Sequence, residues 1–249
     1  MIHWHCHELF HRMPPGVTAG GIAVVIDVLR ASTTIVTALA NGAAAVRPVA
    51  AIDEARRLAR TLSGRPLLGG ERGGRPIEGF DLGNSPREYE GDRVAGRTIV
   101  ITTTNGTAAL AACDEAREIV IGALVNRRAV ADTVRHLSAT TGARDVHLVC
   151  AGTDGVVSAE DVLAAGAILD AAGPGHDDIL DAAARRALAD FRAVASAADP
   201  RAALLAAFLA SPGGANLLPL GMEADLAVAA EIDSLTIVPR LDRVSGNLH

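Results

Sequence analysis

The sequence is poor in aromatic residues, which account for only 2% of its 249 positions. Proteins that bind single-stranded nucleic acid stack the bases on exposed aromatic side chains, so this composition argues against that class. The formal net charge of −6 also removes long-range attraction to DNA, RNA or an anionic membrane. We therefore expect no nucleic-acid partner and no membrane partner. An anionic ligand would have to be held by a local group of arginines and backbone N–H groups.

Cysteine is scarce too, and Cys6, Cys113 and Cys150 lie far apart in the sequence. Because they form no C-x-x-C pair, the sequence predicts neither a disulfide framework nor a cysteine-bound zinc site. No apolar run reaches the roughly 18–20 residues of a membrane span. The first eight residues also lack the apolar core of a signal peptide. These absences predict a cytoplasmic protein.

Short apolar runs alternate with alanine-rich helical segments along the chain. Residues Ile22–Ile26 are continuously apolar, as in a strand buried on both faces, and Ser32–Ala40 is typical of a helix. Repetition of this pattern predicts an α/β fold, with a layered α/β/α arrangement around a largely parallel sheet. Hydrophobic residues make up 49% of the chain, enough for a single domain over 1–249. The similar rhythm of residues 20–98 and 99–240 suggests two related β-α halves.

Three segments need separate predictions. Between Gly69 and Gly96 the periodicity disappears, and we predict an ordered functional loop, because such long loops in compact domains are usually functional. Leu235–Val238 is predicted to be the last strand. Histidine occupies every second position from 3 to 7, which in a strand would share one face. We favour instead a mobile N-terminus that binds transition metals adventitiously, outside the active site.

In open α/β sheets ligands bind beyond the carboxyl ends of the strands, so polar clusters at those points are candidate sites. The first cluster follows the first strand and contains Asp27, Arg30, Thr33 and Thr34. A carboxylate at this position can bind Mg²⁺ or attack phosphorus, and a helix N-terminus suits an anion. The structural alternative is that Ser32 or Thr33 caps the helix while Asp27 pairs with Arg30.

The second cluster lies in the long loop. Glu71 and Asp81 offer hard oxygen ligands, and the Arg72 guanidinium can form paired hydrogen bonds with phosphate, carboxylate or sulfonate. The interleaved glycines let the backbone approach a ligand closely. The structural alternative is a surface Ω-loop whose charges only keep it solvated.

Two further clusters also follow strands. Residues Thr102–Thr107 combine hydroxyls, an amide and a glycine turn at a helix start, which predicts an anion-binding turn. The lysine and spacing of a P-loop are missing, and a simple capping turn is the alternative. Glu160 and Asp161 follow the Cys150–Gly155 turn in the first turn of another helix. Stabilisation by the helix dipole explains both carboxylates structurally, and completion of a metal site is the functional alternative.

Taken together, these segments resemble the 2-phosphosulfolactate phosphatase family. The matching stretches are VVIDVLRASTT (Val24–Thr34), LLGGERGG (Leu67–Gly74), IEGFDLGNSPREY (Ile77–Tyr89), TTTNGT (Thr102–Thr107), CAG (Cys150–Gly152) and Glu160-Asp161. Their order continues to NLLPLGMEADLAVAA near the C-terminus, so the resemblance spans nearly the whole chain. Ser32 departs from the pattern, since threonine is usual there. The histidine-rich start and the SPGGANL segment depart from it as well.

The resemblance implies an α/β fold and Mg²⁺-dependent hydrolysis of 2-phospho-3-sulfolactate, a small anionic phosphate ester, to 3-sulfolactate and phosphate. In methanogens this step belongs to coenzyme M biosynthesis. The resemblance also favours a homo-oligomer. A phosphatase for another 2-phospho-hydroxycarboxylic acid, or a non-catalytic sensor of anionic metabolites, are the competing interpretations.

The resemblance also suggests roles for the clustered residues. Metal ligands would be drawn from Asp27, Glu71, Asp81, Glu160 and Asp161, and the catalytic set would comprise Asp27, Arg30, Glu71 and Asp81. Substrate would be bound by Thr33, Thr34, Arg72, Asn84, Ser85, Thr104, Asn105, Gly106 and Thr107. Two routes remain open: direct attack by an activated water, or a phosphoenzyme on Asp27.

Overall fold

The computed structural model describes residues 1–249 and contains two β-sheets. The strands are β1 (His3–His7), β2 (Ile22–Ile26), β3 (Ala45–Pro48), β4 (Leu67–Arg72), β5 (Arg75–Pro76), β6 (Thr98–Thr102), β7 (Glu118–Gly122), β8 (Asp145–Cys150), β9 (Ile179–Leu180), β10 (Leu241–Asp242) and β11 (Asn247–Leu248). The helices are α1 (Ala31–Ala40), α2 (Ile52–Thr61), α3 (Gly91–Val94), α4 (Gly106–Ala111), α5 (Arg127–Thr141), α6 (Ala159–Ala172), α7 (Ala182–Ala195), α8 (Pro200–Ala210), α9 (Pro212–Leu217) and α10 (Glu223–Ala229).

The first sheet has the order β7-β2-β8-β1-β9, and all of its strands are parallel. Every residue of β2 is buried, because helices cover both faces of the sheet. Val24 and Ile26 pack against α5 and α6 on one face, whereas Ala23 and Val25 face α1 and α4. This confirms the predicted layered α/β/α fold with a predominantly parallel sheet.

A second sheet lies on the far side of α1, with the order β10-β11-β3-β6-β4-β5. Its three central strands, β3, β6 and β4, are parallel, and the outer strands β11 and β5 are antiparallel to their neighbours. Residues 20–98 and 99–240 both supply strands to the first sheet. The two-half prediction stays a prediction.

The predicted last strand at Leu235–Val238 is wrong. This segment is irregular, and its backbone groups bond to the turn after β7 instead of joining a sheet. The Leu235 N–H donates to the Val125 carbonyl at 2.8 Å, and the Asn126 amide donates to the Ile237 carbonyl at 2.9 Å. Pro239 follows and cannot donate to a ladder.

The expectation of a mobile N-terminus is also wrong. Residues His3–His7 form β1, which pairs in parallel with β8 on one side and β9 on the other. Trp4 and Cys6 are buried in the core, while the three histidines share the opposite face, as the alternation predicts. Burial of Trp4 explains why this strand is held firmly in the sheet.

The segment from Gly69 to Gly96 is ordered, as predicted. Strand β4 continues to Arg72 and turns into the short β5, and Tyr89 then anchors the rest of the loop. The Tyr89 ring is fully buried, and its hydroxyl donates to the Gly83 carbonyl at 2.7 Å. This anchoring fixes the polar residues between β4 and α3.

No single helix combines the length and apolar composition needed to cross a bilayer. Helix α8 and the segment Pro212–Leu220 meet that test only as a pair, and they are bent by 67° where they join.

Candidate functional site

A cleft enclosing about 460 Å³ lies at the carboxyl ends of β2 and β8 in the first sheet and of β4 and β6 in the second. This is the edge at which parallel strands place their ligand-binding loops. The segment around α9 forms the remaining wall. Six residues selected from the sequence line this cleft: Asp27, Arg30, Glu71, Asn84, Thr104 and Asn105.

Asp27 directly follows β2 and is 7% exposed. Its Oδ1 accepts a hydrogen bond of 3.2 Å from the Ala31 N–H at the start of α1. Burial, together with the nearby carboxylates of Glu71 and Glu160, raises the pKa of Asp27 to about 7 against the lowering effects of the Ala31 N–H and Arg30. Asp27 therefore exchanges a proton near neutral pH unless a cation lies beside it.

Glu160 and Asp161 are adjacent in sequence but have different environments. Each Asp161 oxygen accepts a backbone N–H: Oδ1 from Val28 at 2.8 Å and Oδ2 from Gly152 at 2.9 Å. Asp161 thus ties the loop after β2 to the loop after β8. Glu160 is 1% exposed, and its Oε2 has no hydrogen-bond partner. Burial raises the pKa of both carboxyl groups.

Glu71, at the end of β4, is held by three donors. Its Oε1 accepts the Thr104 N–H at 2.7 Å, while Oε2 accepts the Gly74 N–H at 2.7 Å and the Thr104 hydroxyl at 3.2 Å. The carboxylate therefore joins the β4–β5 turn to the turn after β6 at the cleft wall. Both its oxygens are engaged, so its main structural contribution is to fix these turns.

Arg30 is the only basic residue that lines the cleft, and it is 3% exposed. Its Nη1 donates to Asp225 Oδ2 at 2.8 Å, and its Nη2 donates to the Gly74 carbonyl at 2.7 Å. The alternative pairing with Asp27 is therefore wrong. Arg30 is the residue before α1, and neither Ser32 nor Thr33 caps that helix.

Asn84 is 3% exposed, and its Oδ1 is buried without a hydrogen-bond partner. A buried amide oxygen without a partner is costly, so this group is available to a ligand or a water in the cleft. Thr104 and Asn105 are exposed or half-buried at the opposite wall. These three polar side chains are directed at the same space as Asp27.

Several residues selected from the sequence lie outside the cleft lining. Arg72 donates to the carbonyls of Glu71 and Ala50 and to the Thr102 hydroxyl, so its guanidinium stabilises the second sheet. Asp81 is exposed, and its Oδ2 accepts the Leu68 N–H at 2.8 Å. Neither side chain is hydrogen-bonded to the side chain of another candidate residue.

The remaining selected hydroxyls bond within the protein. Thr33, Thr34 and Thr107 donate to the carbonyls of Val28, Asn84 and Thr103. Ser85 Oγ donates to Asp225 Oδ1 at 2.6 Å. These hydroxyls hold the walls of the cleft in place. Gly106 has a different role, because a Cβ there would lie 2.7 Å from Asp27 Oδ2.

Four polar or charged residues of the site are not among those predicted from the sequence. Thr153 and Asp154 line the cleft from the loop after β8, and Asn216 lines it from α9. Asn216 Nδ2 donates to Asp154 Oδ2 at 2.9 Å across the rim. Asp225 lies behind Arg30. The strand-end position of Thr153 and Asp154 was a usable signal. Asn216 and Asp225 follow no strand, and only their place in the NLLPLGMEADLAVAA stretch of the family resemblance marks them.

The donor set suits a hard divalent cation, although no three carboxylate, histidine or cysteine side chains converge on one point. Asp27 and Glu160 are buried carboxylates near one another, and Glu160 Oε2 lacks a partner. Mg²⁺ commonly uses one or two carboxylates and completes its octahedron with water and substrate oxygens. The residues present therefore fit Mg²⁺.

Comparison with known proteins identifies relatives of the whole chain. Residues 9–243 match the model of the 2-phosphosulpholactate phosphatase family. A probable 2-phosphosulfolactate phosphatase of Deinococcus radiodurans is 45% identical over 88% of this chain and 87% of its own. Another from Symbiobacterium thermophilum is 44% identical over 91% of this chain and 93% of its own. The chain therefore belongs to the 2-phosphosulpholactate phosphatase family, whose members are phosphoric monoester hydrolases.

Proposed function

We propose that this protein is a Mg²⁺-dependent phosphatase that hydrolyses 2-phospho-3-sulfolactate to 3-sulfolactate and phosphate. Its family membership supports the reaction class and the substrate. The names of the two relatives described above support the same substrate. The negative charge of the cleft is the observation that supports a bound metal ion.

The cleft is acidic, yet the proposed substrate carries a phosphate, a sulfonate and a carboxylate. Asp27, Glu71 and Asp154 line it, with Arg30 as the only basic residue, and Arg30 is already paired with Asp225. The sequence contains no lysine, so arginine is the only side chain of this protein that is fully charged as a cation at neutral pH. An anion entering among carboxylates would be repelled unless a bound cation offset their charge.

Asp27 and Glu160 are the proposed metal-holding residues. Asp27 is buried at the strand end, and Glu160 Oε2 is a buried oxygen without a partner. A bound Mg²⁺ would polarise the phosphoryl group and offset charge on its oxygens. Asp161 and Glu71 hold the surrounding loops through backbone N–H groups, and this fixes the positions of the two ligands.

Arg30, Asn84, Thr104 and Asn105 are the proposed substrate-binding groups. They lie on different walls of the cleft, which allows separate acidic groups of one substrate to be bound at once. Charge-assisted hydrogen bonds from a guanidinium are among the strongest available for this purpose. The position of the cleft, fixed by two sheets and the α9 segment, keeps these groups in a constant arrangement.

Asp27 supports two chemical routes. As a base, it accepts a proton from a water that attacks phosphorus, while the bond from phosphorus to the ester oxygen breaks and that oxygen takes up a proton. As a nucleophile, it attacks phosphorus itself, the bond from phosphorus to the ester oxygen breaks, and water then hydrolyses the aspartyl phosphate. Rapid quenching with unlabelled substrate, followed by reduction with tritiated borohydride, separates the routes, because borohydride reduces an aspartyl phosphate to tritiated homoserine and releases the phosphate. Tritiated homoserine at position 27 supports the covalent route, and its absence supports water attack.

The test of the proposed function is phosphate release from 2-phosphosulfolactate, phospholactate and an aryl phosphate, each with Mg²⁺ and with a chelator. We expect the fastest release from 2-phosphosulfolactate and loss of activity with chelator. Faster release from phospholactate would keep the chemistry and replace the substrate. No release from any ester would overturn the proposal.

Two further statements belong to the same proposal. The three cysteines are free and buried, which suits the reducing cytoplasm in which we place the protein. We also propose an oligomer of identical chains, as the family resemblance favours. Light scattering during size-exclusion chromatography tests the second statement, and a monomeric mass would contradict it.

A further inference from the structure

Arg30 and Asp225 form an ion pair that closes one side of the cleft. Their side chains are only 2% and 3% exposed, and Nη1 lies 2.8 Å from Oδ2. Asp225 lies in the short helix α10, which is 195 residues from Arg30 in sequence. Because both charged groups are removed from water, the Asp225 carboxylate strongly determines the position of the Arg30 guanidinium, and the guanidinium that of the carboxylate.

The hydrogen bonds of Arg30, which lines the cleft, occupy Nη1 and one of the two Nη2 hydrogens. Nη1 donates to Asp225 Oδ2 and to Met222 Sδ, and Nη2 donates to the Gly74 carbonyl. Nε and the second hydrogen of Nη2 make no contact with a protein acceptor. Nε–H and that N–H point the same way, so this edge can bind two oxygens of one carboxylate, sulfonate or phosphate.

Asp225 is itself held in place. Its second oxygen, Oδ1, accepts the Ser85 hydroxyl at 2.6 Å. Ser85 comes directly after Asn84, which lines the cleft. The chain Ser85–Asp225–Arg30 therefore connects the long loop, α10 and the loop after β2 through side chains alone. Each carboxylate oxygen of Asp225 has one defined donor, which leaves Arg30 little freedom to rotate.

We propose that Asp225, oriented by Ser85, is a positioning residue that holds the Nε–Nη2 edge of Arg30 toward an acidic group of the substrate. Asp225 acts through Arg30 and does not touch the substrate. The inference rests on the proposed function, because it assigns Arg30 a substrate anion. It adds that recognition of this anion depends on the C-terminal segment of the chain.

The experiment measures kcat and KM for phosphate release at saturating Mg²⁺ in the full-length protein. The variants are Asp225→Asn, Ser85→Ala, Arg30→Lys and the two double variants that combine Arg30→Lys with each of the others. Asp233→Asn is the matched control. Asp233 Oδ2 lies 3.0 Å from Arg127 Nε in a partly buried ion pair, and neither residue lines the cleft. Thermal unfolding is recorded for every variant, and binding of 3-sulfolactate is measured by calorimetry.

We expect Asp225→Asn to lower kcat/KM about 10- to 100-fold and Ser85→Ala about 3- to 10-fold, in the range of lost charge-assisted hydrogen bonds. Both should weaken binding of 3-sulfolactate by similar factors. In the Arg30→Lys background each change should have less than a 2-fold further effect, because lysine lacks the paired edge. Asp233→Asn should retain wild-type kinetics.

Equal losses in the wild-type and Arg30→Lys backgrounds would overturn the inference, because they would show that Asp225 acts independently of Arg30. If Asp225→Asn does not fold, Ser85→Ala keeps the question testable, since it leaves both charges in place. Absence of turnover in the wild-type protein would instead contradict the proposed function. In that case the calorimetric comparison still tests whether Asp225 acts through Arg30.

Discussion

The carboxylate of Asp27 lies directly against the backbone of Gly106. A Cβ built on Gly106 would lie 2.7 Å from Asp27 Oδ2 and 2.7 Å from the Ala31 Cβ. Both distances are below van der Waals contact, so this position requires glycine for space. The glycine in the turn after β6 therefore determines where the principal carboxylate of the site can lie.

We expect Gly106→Ala to lower kcat at least 10-fold, because the added methyl group displaces Asp27 from its position in the cleft. The crowding should also cost about 1–3 kcal/mol of folding free energy. The check is a kinetic assay together with a denaturant titration. Gly142→Ala is the matched control: it strains a residue with φ +75° at the end of α5, where nothing lies within 4 Å. Equal activity losses in both variants would contradict the prediction.

Asp27→Asn should abolish phosphate release yet stabilise the metal-free protein at pH 8. The pKa of Asp27 is raised to about 7 in the folded protein, against an unfolded value near 4. Stability is therefore lost as the pH rises from about 4 to about 7, and above 7 the folded state carries a buried charge. Removing that charge should restore on the order of a few kcal/mol at pH 8.

Thermal unfolding with chelator and with Mg²⁺ checks this prediction. In chelator, Asp27→Asn should unfold at a higher temperature than the wild type. Addition of Mg²⁺ should raise the unfolding temperature of the wild type more than that of the variant, because the variant lacks a ligand. A variant with near-normal turnover would remove Asp27 from the site.

Much of the first sheet and of its site could be predicted from local pattern. A fully apolar run followed by an acidic residue identified β2 and Asp27, because a strand buried on both faces has no polar positions and places its ligand residue at its end. Leu235–Val238 is also largely apolar, but it covers the turn after β7 instead of forming a strand. A short apolar run alone does not distinguish a buried strand from a buried irregular segment.

Pairwise contacts between distant segments could not be predicted. Arg72 was selected for its charge, but only tertiary structure shows that the Ala50 carbonyl and Thr102 hydroxyl bind it. Asp225 lies in a stretch that resembles the family, but the sequence does not show that its partner is Arg30, 195 residues away. Which of two adjacent carboxylates is free for a metal depends on the backbone N–H groups around each, and these belong to other loops.

Glu160 and Asp161 should respond differently to loss of charge. Glu160→Gln removes a buried charge whose Oε2 has no partner, so we expect equal or higher stability and at least a 10-fold increase in the Mg²⁺ concentration required for activity. Asp161→Asn places an amide NH₂ against one of two backbone N–H donors. We expect it to cost about 1–3 kcal/mol of stability.

Two measurements on both variants separate metal binding from structural support. One is the activity as a function of Mg²⁺ concentration, and the other is unfolding in urea. If Asp161→Asn changes the Mg²⁺ requirement without lowering stability, while Glu160→Gln changes neither, then the assignment of the two neighbours is reversed. The comparison needs no further control for position, because the residues are adjacent in the first turn of α6.

The histidine face of the first sheet should make the protein less stable in mild acid. His147 is 3% exposed. It stacks between the rings of His5 and His7, at centroid distances of 4.8 and 5.3 Å. Burial, together with the neighbouring His5 and His7, lowers the pKa of His147 to about 4 against the raising effects of Asp145 and Asp181. The folded protein therefore keeps His147 neutral while the unfolded chain protonates near pH 6.5.

Because the folded pKa is depressed, this contribution to stability is complete above pH 6.5 and is lost as the pH falls toward 4. By pH 5 the loss should reach about 1–2 kcal/mol. His147→Gln should flatten the dependence of unfolding free energy on pH between 7.5 and 5, whatever its effect on stability at pH 7.5. His136→Gln, at an exposed position of α5, should leave the dependence unchanged. If His147→Gln and the wild type show the same slope, another group causes the acid sensitivity.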